Sequence, residues 1–199
     1  MKEEKNDDYL KQVFVTQTKG FIDISLKREL WQDVSNEFNG KFIISHTSGN
    51  VLEILKINIP YKNWEIKLSE SDTRPLKFEI TFNSGIDYEL IINYEDIVEN
   101  IMKRFGRKEV ELGNELFDNK YIIRSRNSEI TKKLLTQEII NDFIKFNIYS
   151  LSYTTGLKKR TSNLISVISR TIEDKSTIES LIRLHMKIID KLKELALIE

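Results

Sequence analysis

Trp64-Glu-Ile-Lys-Leu-Ser-Glu-Ser-Asp-Thr-Arg-Pro-Leu-Lys-Phe-Glu-Ile-Thr-Phe82 contains two runs of strict alternation. Trp64, Ile66 and Leu68 leave one face of an extended chain, as do Leu76, Phe78, Ile80 and Phe82, because successive strand side chains point to opposite sides. The intervening residues are polar and contain Pro75, so each run reads as a half-buried strand within hairpin distance of the next. Working outward, Val51–Ile59 alternates with a slip near Leu55 that suggests a bulge, and Pro60 ends that strand or sits at its edge. Phe42-Ile43-Ile44 precedes it; Tyr88, Leu90 and Ile92 follow. About five strands at hairpin spacing predict an antiparallel meander with one wet face.

Helical periods flank that meander. Leu26, Leu30, Trp31, Val34 and Phe38 fall on one helical face, with Ser25 placed to cap and Asn39-Gly40 to stop. Asn93 precedes the stripe Tyr94, Ile97, Val98, Ile101, Met102 and Phe105, which predicts a helix over 94–105 closed by Gly106. Ser176-Thr-Ile-Glu179 has the spacing of a capping box and opens a helix over 177–197. That helix carries Ile178, Leu181, Ile182, His185, Ile188, Ile189, Leu192, Leu195 and Ala196 on one face, to be laid against the sheet. Strands at 120–125 and 148–154, helices at about 128–134 and 137–146, and a strand near 164–169 complete the reading. Residues 1–8 read as frayed, and 9–20 as helix or strand. The fold class expected is α+β: a single domain over 1–199, a mostly antiparallel sheet covered by helices near 26–38, 94–105 and 177–197.

The composition narrows the function. The chain has 199 residues, 40% of them hydrophobic and 31% charged, a globular balance. Cysteine is absent, which removes disulfide scaffolds, thiolate nucleophiles and cysteine-ligated zinc. No apolar run reaches the roughly 18 residues a membrane span needs, so a soluble, cytoplasmic chain is expected. Lys+Arg and Asp+Glu balance at 31 each. The excess of cations falls after residue 100 and the excess of anions before it, so a basic binding face in the C-terminal half is one possibility to test.

Gly113-Asn-Glu-Leu-Phe-Asp118, the run Tyr121-Ile122-Ile123 and Leu134-Leu135-Thr136 together resemble a family of uncharacterised bacterial domains. Its members show a Gly-Asn/Asp-x-x-Phe-Asp turn, a valine or isoleucine strand, a short polar helix and Leu-Leu-Thr-Pro. Gln137 stands where that proline would be, and this chain has no counterpart of the transmembrane helices that precede the domain in many relatives. The resemblance implies an α+β domain of unknown function and transfers no catalytic residue. Read physically, Gly113 permits a positive φ, Phe117 turns inward, Asp118 accepts backbone N–H groups, and Thr136 caps a helix.

Candidate site residues are few. Asp118, Lys120, Arg124 and Arg126 form the candidate ligand-binding set; Arg124 and Arg126 share a strand face and could receive a phosphate or an acidic partner. His46 and His185 lack metal-ligand spacing, His46 reading as exposed and His185 as a core histidine with a depressed pKa. No phosphate-binding loop or nucleophile elbow is present, so no catalytic residue, metal or cofactor is expected. The first expectation is a non-enzymatic interaction domain with a protein partner or a second copy. Nucleic-acid or polyanion binding through the C-terminal half is the alternative, and an enzyme of unknown type is the third.

Overall fold

A computed structural model describes residues 24–47, 52–84, 86–94, 110–156, 160–168 and 172–199. Eight strands form one sheet: β1 (Lys41–His46), β2 (Glu53–Tyr61), β3 (Trp64–Ser71), β4 (Arg74–Asn83), β5 (Glu89–Tyr94), β6 (Tyr121–Ser125), β7 (Ile148–Gly156) and β8 (Thr161–Ile168). Their spatial order is β1-β2-β3-β4-β8-β7-β5-β6, with every pair antiparallel. The helices are α1 (Ile24–Glu37), α2 (Glu115–Asp118), α3 (Ser128–Leu134), α4 (Gln137–Phe146) and α5 (Lys175–Glu194). The protein is thus α+β, an antiparallel sheet flanked by helices.

The meander holds for β1 to β4 and then breaks. β5 does not pair with β4; it crosses beyond β8 and β7 and lies between β7 and β6. Alternation reveals that a segment is a strand but not which edge it pairs with, because β4 satisfies its free edge equally well with β8. The strand also runs through Asn93 and Tyr94, paired to Ile122 and Tyr121, so Asn93 is not a helix cap. The rest of the helix expected over 94–105 lies outside the described residues.

One face of the sheet makes the core. Leu55, Ile57, Ile59, Trp64, Ile66, Leu68, Phe78, Ile80, Leu90, Ile92 and Ile123 are buried on it, under the helices. Helix α5 lies across this face with eight buried side chains, and its His185 ring stacks on Phe78 at 3.9 Å between centroids. Asp174, not Ser176, caps α5: its carboxylate accepts the Thr177 N–H at 2.9 Å, and the Ser176 hydroxyl donates to it as well. Beyond α5, the Leu197 carbonyl accepts hydrogen bonds from the Ser84 and Tyr153 hydroxyls, fixing the following residues to β4 and β7.

Helix α1 is rotated from its expected setting. Trp31 and Val34 are buried as read, but Leu26 is 56% exposed, and Lys27 and Ser35 take inward positions. The reason lies on β3, where Glu70 faces the helices; Lys27, one turn before Trp31, reaches its carboxylate at 3.0 Å. Helix α1 already includes Ile24, so Ser25 lies inside it, and Asn39 adopts the left-handed conformation that ends it. Gly40 then passes close to β2, where a Cβ would lie 2.9 Å from the Asn58 carbonyl oxygen. Strand β2 has no bulge; Leu55, Ile57 and Ile59 face the core while Ile54 faces the other way. The irregularities are instead at Ser69/Ser71 and at Ile148/Ser150. Pro60 is tolerated because β1 pairs with β2 only as far as Asn58, so the missing N–H falls beyond the ladder.

Candidate docking surface on the open face of the sheet

The face opposite the helices is built by the alternate residues of the same strands. Strand register places them in transverse rows. One row runs Ile43, Lys56, Ser69, Lys77, Val167, Ser150, Asn93, Ile122; the next runs Lys41, Asn58, Lys67, Glu79, Ile165, Ser152, Ile91, Arg124. Six aliphatic side chains therefore cross this face: Ile43, Ile54, Ile91, Ile122, Ile165 and Val167. All are half-buried, and none belongs to the core cluster or packs against it.

Toward β2, β3 and β4 this surface deepens into a groove of about 560 Å³. Ile54, Pro75 and Val167 supply its apolar lining, and Lys56, Lys67, Arg74 and Lys77 its positive charge. Lys77 holds Glu79 at 2.7 Å, and Lys67 lies 3.6 Å from Glu65. Among the described residues, Lys56 and Arg74 have no carboxylate partner. The signal for this groove was present in the sequence, as lysines at outward positions of three successive strands, but no local motif marks it.

The four residues read as candidates divide between two places. Asp118 belongs to the turn around α2: its carboxylate accepts the N–H groups of Leu112, Gly113 and Asn114 at 3.1, 2.8 and 3.0 Å. Gly113 has a φ of 78° there, and Asn114 caps α2. Lys120 sits over the Tyr94 and Tyr121 rings, at 5.3 and 5.8 Å, on the helix-covered side. Arg124 and Arg126 do share a face, the open one. Arg126 pairs with Asp87 and Glu89. Arg124 is only 7% exposed, and among the described residues no hydrogen bond or ion pair reaches its side chain. His46 is exposed on β1 at the opposite edge of the sheet from β6, so His46, Asp118 and Arg124 do not converge.

Among the described residues, several cations of the C-terminal half are engaged. Lys187 bridges Glu138 and Asp142, Lys175 meets Glu179, and Lys191 meets Glu194. Arg183 and Lys193 lie over the rings of Phe38 and Trp64. No cluster of three or more His, Cys, Asp or Glu suited to a metal occurs among the described residues, and no described helix is long and apolar enough to cross a membrane.

No family model matches the chain, and no curated protein does. Among solved structures, the mycobacterial trehalose monomycolate transport factor A, TtfA, superposes with a TM-score of 0.55 over 85% of this chain and 96% of that one. Their sequences are 6% identical. The likeness is one of fold.

Proposed function

We propose that this chain is a non-enzymatic interaction module that binds a protein partner through the open face of its sheet. The reading rests on one observation: six aliphatic side chains, set among polar ones in neighbouring rows, stand on a face that no described helix covers. An antiparallel sheet with one wet face ordinarily presents polar residues there, and an apolar stripe on such a face marks a contact surface. The turn at Gly113–Asp118 and Leu134-Leu135-Thr136 are, on this proposal, the shared frame of the uncharacterised bacterial domains they resemble. The likeness to TtfA supports the use of this fold and brings no ligand with it.

Peptide display against the immobilised protein tests the reading. Sequences enriched on the wild type should lose binding to the Ile165→Thr/Val167→Thr variant, which keeps β-branched residues on β8 but removes apolar surface. Failure to enrich any sequence over bare support, or enrichment of sequences indifferent to the double substitution, would overturn it.

A further inference from the structure

We propose that the groove between β2 and β4 receives an acidic segment of the partner protein, in extended form, whose sheet-facing side chains are carboxylates over the groove and aliphatic beyond it. The inference rests on the open face being the docking surface and names the chemistry of what docks there. Among the described residues four cations line the groove, Lys56, Lys67, Arg74 and Lys77, and the carboxylates of Glu65 and Glu79 offset two of them. The Glu70 carboxylate does not count toward the balance, because it points to the other side of the sheet and is held by Lys27. The groove therefore keeps an excess of two positive charges within the half of the sequence that is acidic overall.

The spacing suits an extended chain. Lys56 and Lys77 stand in one row with Ser69 between them, two strand spacings or roughly 10 Å apart. Alternate residues of an extended polypeptide share a face and stand about 7 Å apart, a spacing that the flexible lysine and glutamate side chains can bridge. Ile54 and Val167 flank the cations, and the aliphatic stripe continues to Ile165 and Ile91 on β8 and β5. Carboxylates on the lysines and apolar side chains on the stripe can thus be met by one segment. A second copy of this chain would bring the same positive excess to the same place. Among the described residues no aromatic ring lines the groove to stack a nucleobase.

Fluorescence anisotropy with a short labelled extended peptide, its alternate positions two glutamates followed by two valines with serine between them, provides the test. The wild type should bind it, with affinity falling as salt is raised. Lys56→Glu/Arg74→Glu, which reverses the two cations without described partners and breaks no described ion pair, should weaken binding by roughly tenfold or more. Lys56→Gln/Arg74→Gln should fall between, while Lys132→Glu/Lys133→Glu on exposed α3 should leave binding unchanged. The proposal is overturned by no binding, by equal binding of the peptide with lysine for glutamate, or by an equal effect of the α3 control. It is overturned too if oligothymidine or phosphatidylglycerol vesicles bind in the peptide's place. Binding lost in Ile165→Thr/Val167→Thr but kept in Lys56→Glu/Arg74→Glu would sink the acidic segment alone and leave the interaction module standing.

Discussion

The His185→Leu variant will lose less stability on acidification than the wild type, by roughly 3 kcal/mol between about pH 7 and pH 4. His185 is 1% exposed, and burial pushes its pKa down to about 4, against a weaker upward pull from the Leu181 carbonyl. Geometry explains the cost of charging it. Nδ1 lies 2.7 Å from the Leu181 carbonyl oxygen and donates to it, so Nε2 carries the lone pair of the neutral ring. No acceptor among the described residues reaches Nε2, and the ring is stacked on Phe78, so a proton there would have no partner. The folded pKa lies below the unfolded value of about 6.5, so the unfolded chain binds the extra proton. The stabilisation is complete above that value and drains away as pH falls toward the folded pKa near 4. Urea unfolding of both proteins across this range decides the matter: the wild-type curve should fall away from the leucine curve below about pH 6.5, and parallel curves would refute the assignment.

Lys27→Met will cost roughly 3–5 kcal/mol at neutral pH, and Lys27→Met/Glu70→Leu will restore most of it. Lys27 and Glu70 are 3% and 2% exposed, so removing the ammonium leaves a carboxylate buried between α1 and β3. Asp72, 3.8 Å from the Lys27 ammonium, is itself an anion, so it cannot compensate the Glu70 carboxylate. Even with Lys27 present, burial holds the Glu70 pKa above the ordinary glutamate range, the lysine pulling it part of the way back, and Glu70 Oε2 has no hydrogen-bond partner among the described residues. A raised acid pKa means that the folded state binds more protons than the unfolded one. Stability contributed by this group therefore rises as pH falls, opposite in sign to His185, and the loss in Lys27→Met should shrink with acidification. Chemical denaturation of the single and double variants at two pH values measures both effects. A single variant as stable as the wild type would show that the pair contributes nothing.

How much of this could be read in the chain follows from the range of the interaction concerned. The buried face of α5 from Ile178 to Leu192 was legible because it repeats every three to four positions, and β3 and β4 because theirs alternate. The end of α5 was not, since it stops at Glu194 and leaves Ala196 exposed, and buried Leu184 falls outside the face read from the sequence. The caps at Asn114, Asn127 and Thr136 are equally local, each accepting from an N–H three residues on. The inward turn of Lys27 was not legible, since a lysine reads as solvent-facing until Glu70, 43 positions later, is brought beneath it. Nor was the position of β5, which depends on the β7–β8 hairpin arriving between it and β4. The groove has the same character: each of its lysines is an ordinary outward residue of its own strand, and only register makes them neighbours.

The crossing of β5 past β8 and β7 sets the order in which the chain can become native. Thr81 and Asn163 touch across the β4–β8 seam although 82 positions separate them, so the first four strands can form a local meander long before their partner is synthesised. Until then β4 presents a bare, hydrophobic edge, the kind that recruits other chains. Closing so long a loop makes this seam the slow step of folding. Pulse-labelling of amide protons during refolding should find β2 and β3 protected before β4 and β8; simultaneous protection would mean that the seam is not the bottleneck.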